Sequence, residues 1–273
     1  MKDRALKDPA VMNRASKEHP SKDHAVKPEL ERARRYSDDF SRSYERGRHE
    51  GYHALVDDLE LDVLTPYASG RRVLEIGCGT GLILSRIAKV AESAVGVDLS
   101  PGMLEQARAR GLEVIEGSAT ELPFEDASFD TVCSFKVLAH VEPIEVAFKE
   151  AARVVKPGGH LVLELYNRWS LRYLARQIAG ARSIGKAHRE DDIGTRWDSP
   201  REAIARLPPE LEVERVAGVR VVTPAAAVHR VPLVRSVFAH AERASLHSPL
   251  RWFGGFLVLV LRRRGCQAKS SPL

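Results

Sequence analysis

Cysteine is scarce in this chain, with three in 273 residues, at positions 78, 133 and 266. An odd number at wide spacing gives neither a disulfide framework nor a paired CxxC metal site, and it predicts reduced thiols. The histidines, His53 and His160 among them, have no acidic or thiol companions at ligand spacing, so no metal site is expected. Long apolar runs are absent as well. The longest one late in the sequence, "FLVLVL" at 256–261, is far short of the ~20 residues that cross a bilayer. It reads as a buried strand, and no transmembrane segment is expected. The basic N-terminus lacks the continuous apolar stretch of a secretory signal, which predicts a cytoplasmic protein.

What remains is the composition of a soluble globular protein, 29% charged and 44% hydrophobic, and long enough for one large α/β domain with extensions. The net charge of +5 hints at nucleic acid until it is located. Residues 1–35 hold ten Lys and Arg against six Asp and Glu, which is +4 of that +5. This tail has no aromatic residue and little apolar periodicity, so it is expected to stay disordered. A solvated tail is preferred to a nucleic-acid arm, and nucleic acid is not expected as a partner. Oligomeric state is left open by the sequence.

From Tyr36 the character changes: Tyr36, Phe40 and Tyr44 recur every four residues, which suggests one or two helices across 36–70 with an aromatic stripe. Then strand and helix alternate. "RRVLEIGCG" reads as strand and glycine turn, "TGLILSRIAKV" as helix, "SAVGVDLS" as strand, "PGMLEQARARG" as helix and "LEVIEGSA" as strand. "FDTVCSFKVLAHV", "EPIEVAFKEAARVVKPGG" and "HLVLELYN" follow as strand, helix and strand. Such alternation predicts a doubly wound, mostly parallel sheet with ligands at the carboxyl ends of its strands. Residues 71–265 form the expected domain, with an insert at 168–200; two late strands suit an antiparallel hairpin at one sheet edge.

Gly77, Gly79 and Gly81 follow the first strand as GxGxG. A dinucleotide fingerprint, GxGxxG, would place its third glycine at 82, where Leu82 stands. Asp98 lies twenty-one residues beyond Gly77, at the end of the second strand, where a carboxylate can hold both hydroxyls of a ribose. Glu75, inside the first strand, is costly as an unpaired core residue and is better explained by a hydrogen-bonding duty. An NAD- or nucleotide-sugar-dependent Rossmann enzyme and a noncatalytic binding module stay open as alternatives.

With these pieces in order, "VLEIGCGTG", "VGVDLSPGML", "ATELPFEDASFDTV" and "VVKPGGHLVL", the chain resembles the class I S-adenosylmethionine-dependent methyltransferases. The branch it is similar to is that of the ubiquinone and menaquinone C-methyltransferases. The resemblance covers residues 73 to 166. It implies a Rossmann-like, mostly parallel seven-stranded sheet with an antiparallel edge strand and helical cover, and S-adenosylmethionine as cofactor. By that resemblance Glu75, Gly77, Cys78, Gly79 and Gly81 line the methionine and ribose side, and Asp98 holds the ribose. Leu99 and Met103 flank the adenine, Ser118 and Ala119 face its edge, and Phe135 touches the cofactor. Ser118 departs from the Asp that relatives carry there, and Lys136 replaces an apolar or small residue; Lys136 is expected to snorkel to solvent.

The implied reaction is methyl transfer to a small-molecule acceptor such as a quinone or lipid-like compound, by in-line displacement in which positioning does most of the work. If a base is needed, His140 is the first candidate and Tyr166 the second. The acceptor pocket is expected from Tyr36, Phe40 and Tyr44 on a lid helix, together with Tyr166 and Trp169. In "NRWSLRYLARQIAG", Trp169, Leu171, Leu174 and Ile178 share one helical face and Arg168, Arg172 and Arg176 another. That pattern suits membrane-surface contact, although a domain helix with a solvated basic face is the commoner cause.

Overall fold

The apolar stretches offered as strands line up in one sheet in the computed structural model, which describes residues 51–179, 183–184, 188–189, 194–223, 228–229 and 231–265, with Glu31, Arg34, Asp38 and Glu45 before them. The tail residues 1–30, the aromatic stripe of Tyr36, Phe40 and Tyr44, and Cys266 lie outside the described residues. Helix α1 (Gly51–Ala68) leads into β1 (Arg72–Ile76), the short α2 (Leu84–Ile87), β2 (Ser93–Asp98), α3 (Pro101–Ala109) and β3 (Glu113–Glu116). Then come β4 (Phe129–Ser134), α4 (Ile144–Val154), β5 (Val155–Tyr166), α5 (Leu171–Ala179), α6 (Pro200–Ala205), β6 (Leu211–Val219), α7 (Pro232–Ser245) and β7 (Phe256–Arg263). A two-residue ribbon, Ser183–Ile184 with His188–Arg189, stands apart from the main sheet.

The sheet runs β3-β2-β1-β4-β5-β7-β6. Strands β1 to β5 pair in parallel, while β7 is antiparallel to β5 and to β6. The late hairpin closes the edge as expected, with its reversed member one place in from the rim. Chain order reverses direction between β1 and β4, so a crevice opens at their carboxyl ends, where ligands of such sheets bind.

Each face of the sheet buries its own set of side chains. Leu74 and Ile76 point to one face, where α4 supplies Ile144, Ala147, Phe148 and Ala151 at helical spacing. Val73 points to the other, where α1 supplies Leu59, Val63 and Leu64. All six residues of "FLVLVL" are buried in β7.

Three elements differ from the sequence reading. The long helix expected over "TGLILSRIAKV" shrinks to the single turn of α2, because Gly81 sits at φ +81° and the chain turns before it can wind. The strand expected through "FDTVCSFKVLAHV" stops at Ser134, since Lys136 takes φ +62° and Leu138–His140 form a 3₁₀ turn. The Lys-Pro-Gly-Gly stop holds α4 to Val154, but the chain re-enters the sheet at once, and the register between β4 and β5 jumps between Phe129 and Thr131.

Phe148 is 1% exposed at the centre of the α4 face. Phe148→Ala is expected to lower unfolding free energy by about 3–5 kcal/mol and Phe148→Leu by less than about 1.5 kcal/mol. Denaturant titration checks both, and equal losses would contradict this packing.

Candidate functional site

The turn after β1 is pinned from below. The N–H groups of Gly77 and Cys78 both donate to the Val97 carbonyl of β2, at 2.7 and 3.1 Å. The three glycines, at φ +73°, +53° and +81°, serve different ends. A Cβ on Gly77 would lie 2.2 Å from Val137 Cγ2, and one on Gly81 would lie 2.3 Å from Leu112 Cδ1. Those two let neighbouring elements close in. Gly79 alone faces space, with Met103 Sδ the nearest atom at 3.9 Å, so it is the glycine that lets a ligand approach the main chain. The four-residue α2 behind it offers little of the helix N-terminus that a dinucleotide pyrophosphate uses.

Asp98 ends β2 beside this turn. Its Oδ2 accepts from the Gly79 N–H at 2.8 Å and its Oδ1 from the Ser100 N–H at 2.9 Å. Burial raises its carboxyl above the ordinary range, against those backbone donors. A carboxylate has about four lone-pair positions, so both oxygens keep capacity for hydroxyl donors. Ser100 in turn caps α3, its Oγ accepting from the Met103 N–H at 3.1 Å, with Pro101 in the first turn.

Between α1 and the glycine turn lies a cleft lined by Asp57, Glu75, Gly77, Leu82, Phe135 and Lys136. Glu75 is 3% exposed, and its Oε2 has no hydrogen-bond partner among the described residues. Burial pushes its carboxyl well above the usual range, only partly offset by Lys136. An orphaned buried carboxylate oxygen, an open glycine and a carboxylate with spare lone pairs fit the ammonium, backbone approach and ribose of an adenosyl amino acid.

Lys136 does not snorkel to solvent. Its Nζ donates to Asp57 Oδ1 and Glu60 Oε2 of α1, each at 2.7 Å, and its own N–H reaches Glu164 Oε1 of β5 at 3.2 Å. Glu60 and Glu164 are 0% and 1% exposed. Burial raises both carboxyls, with the Lys136 ammonium opposing. Lys136 takes a positive φ just past β4, and its side chain runs to α1. Asp57, Glu60 and Glu164 were invisible to motif reading because they lie 76 to 79 residues before Lys136, and 28 after it.

Other expected positions divide. Phe135 is buried on the cleft wall and Met103 beneath Gly79. Leu99 is half-buried next to Asp98. Cys78 borders the cleft, yet its sulfur packs over Gly96 beside Leu84, and its thiol is pushed up by burial. Ser118 Oγ is engaged within its own loop, 2.8 Å from Thr120 Oγ1 and accepting from the Thr120 N–H, which leaves little for an adenine edge. Ala119 packs into the core.

On the acceptor side, His140 and Tyr166 stand edge to face with ring centres 5.6 Å apart. The tryptophan beside Tyr166 is Trp197, at 5.1 Å, where Trp169 was expected; Trp169 is 48% exposed. Arg172 is 4.5 Å from the Tyr166 ring centre, 5.0 Å from that of Trp197 and 4.7 Å from that of Phe256, so the basic face of α5 turns inward instead of meeting solvent.

Two substitutions test this site. Lys136→Met strands buried carboxylates and is expected to cost about 3–5 kcal/mol at pH 8. Carboxyls raised in the folded state bind protons that the unfolded chain releases, so stability falls as pH rises through the folded values, and the loss should shrink at pH 6. A penalty independent of pH in urea titrations would refute the cluster. Asp98→Ala should weaken S-adenosylhomocysteine binding about 10- to 100-fold by calorimetry, with the circular dichroism spectrum unchanged; unchanged affinity would remove Asp98 from the site.

Comparison with known proteins bears on the fold and the family. A methyltransferase-domain family profile matches residues 74–163. A ubiquinone biosynthesis O-methyltransferase of Xanthomonas oryzae pv. oryzae is 32% identical over 191 residues, which is 63% of this chain and 76% of that protein. The fold is shared with an S-adenosylmethionine-dependent methyltransferase of Thermotoga maritima, TM-score 0.61 at 24% identity, covering 83% of this chain and 98% of that one. It is shared too with one of Mesorhizobium loti, TM-score 0.53 at 22% identity, covering 74% and 95%. The chain therefore belongs to the S-adenosylmethionine-dependent methyltransferases, with S-adenosylmethionine as its cofactor.

Proposed function

We propose that this methyltransferase alkylates an oxygen of a small planar acceptor of the catechol or quinol class. The observation that carries the reading is the 32% identity to a relative named for ubiquinone biosynthesis O-methylation, over 76% of that relative's length.

When bound, S-adenosylmethionine supplies a methyl group on a positively charged sulfur whose leaving group is a neutral thioether. Glu75 would take its ammonium group, Asp98 its ribose hydroxyls, and Leu99 and Met103 would flank the adenine. Phe135 would exclude water beside the reacting centre. Burial raises the Tyr166 phenol above its usual value, with Arg172 opposing, so Tyr166 stays protonated and serves as a donor that orients the acceptor. That leaves His140 as the group to take the acceptor's hydroxyl proton while the oxygen–carbon bond forms.

Residues 36–70 act as a cover in this reading, and 168–200 as the acceptor-side insert. Asp38 accepts from the Gly102 N–H at 3.0 Å and from the Ser100 hydroxyl, Arg34 pairs with Glu116 at 2.9 Å, and Glu45 pairs with Arg110. Arg34, assigned by sequence to the tail, is helical.

Methyl-labelled S-adenosylmethionine offered with catechols, aromatic amines and carbon nucleophiles should label the phenolic oxygen. His140→Ala should then lower kcat about 10²- to 10⁴-fold with S-adenosylhomocysteine affinity unchanged. Labelling of amines or carbon alone would overturn the acceptor class, and an unchanged kcat would overturn the base.

A further inference from the structure

Glu75 is buried in β1, and the residues opposite it in the sheet are Gly96 of β2 and Cys133 of β4. The charges that act on it come from neighbouring elements. Lys136, just past β4, is opposed by Asp57 and Glu60 of α1, which hold its Nζ at 2.7 Å, and by Asp98 at the end of β2. The Cys78 thiol of the turn and that of Cys133 are both pushed up by burial, so both stay neutral. One ammonium thus answers three carboxyls before Glu75 is counted.

Hydrogen bonds decide which of these groups keeps a proton, because a donor stabilises the charged form of a carboxyl. Asp98 accepts from the Gly79 and Ser100 N–H groups, Glu60 from Lys136 Nζ, and Glu164 from the Lys136 N–H. Glu75 Oε2 accepts from none of the described residues. A buried carboxylate without donors is costly, and burial accordingly moves this carboxyl well above the usual range.

Glu75 lines a cleft with room, about 20 Å³, for one water-sized group. A divalent metal needs several oxygen ligands at once, and among the described residues no group of three or more His, Cys, Asp or Glu is placed to hold one. An ammonium group needs less. It is compact and brings three donors to an oxygen that has none. The amino-acid part of the cofactor carries such a group.

We propose that the free enzyme holds Glu75 as a neutral acid and that cofactor binding ionises it: the incoming ammonium takes the place of the carboxyl proton, which leaves to the solvent as the charge pair forms. This rests on the placement of the ammonium at Glu75 given above and adds the exchange. Proton and ammonium compete for one oxygen, so affinity for a ligand bearing the amino acid falls as pH drops through the range in which Glu75 of the free enzyme titrates. Asp98 titrates as well, but its partner is the ribose, which a nucleoside without the amino acid also presents.

The test is calorimetry on the full-length protein at about pH 6.5, where an α-amino group is charged, in phosphate and in imidazole, two buffers with different heats of ionisation. S-adenosylhomocysteine should release about one proton per site, and methylthioadenosine, which has the same adenine and ribose but no amino acid, about none. Lowering the pH by one unit should weaken S-adenosylhomocysteine relative to methylthioadenosine by up to about tenfold. Glu75→Gln keeps the shape of the side chain and cannot exchange the proton, so the release should vanish and the two pH profiles should coincide. Equal heats in both buffers, equal release with both ligands, or a release that persists in Glu75→Gln would overturn the proposal and leave the cofactor assignment standing. Binding of neither nucleoside would remove both. The comparison of the two ligands is made on the wild type, so it decides even where Glu75→Gln does not fold.

Discussion

The Lys136 ammonium, set between α1 and the ends of β4 and β5, is the interaction on which the site depends. Asp57 and Glu60 come from the covering helix, Glu164 from β5, and Lys136 itself from just past β4. Glu75 of β1 lies within its field. Four carboxylates crowded where α1 meets the sheet would repel one another unless a cation balanced them, since buried charge is tolerated only when paired and hydrogen-bonded. The same balance fixes one side of the cleft between α1 and the glycine turn. A helix held there by charge pairs at 2.7 Å keeps Asp57 in the lining of the cleft that Glu75 and Phe135 also border.

Much of this was legible in the chain because the relevant signals are local. A strand ending in glycines, a carboxylate twenty-one residues later and Ser-Pro before a helix all depend on near neighbours, and each appears where local chemistry puts it. The lysine cluster was not legible, because its partners come together only through the sheet order. Nor was the orientation of α5. Helical periodicity separates Arg172 and Arg176 from Leu171, Leu174 and Ile178, but it does not say which face turns inward. Usual hydrophobic burial favours the leucines. Here the stacking of guanidinium on Tyr166, Trp197 and Phe256 decides the orientation the other way.

The three glycines illustrate how one motif can hold several constraints. Sequence spacing treats them alike, yet Gly77 makes room for Val137 and Gly81 for Leu112, while Gly79 faces open space. The first two belong to the architecture, bringing the β4 and β3 connections against the turn. The same five residues therefore carry the architecture and the open stretch of main chain, and a sequence that kept only the open glycine would lose the turn that presents it.

The reversed strand β7 bears on how the molecule is made. It is buried between β5 and β6, pairing with Tyr166 through Phe256, ninety residues further along the chain. Until the ribosome has delivered that segment, one flank of β5 presents unpaired peptide groups, a template for misassociation. Completion of the sheet thus waits on a late arrival. A nascent chain halted before residue 256 would hold the cofactor motifs in full yet expose a sticky border, a natural substrate for chaperones.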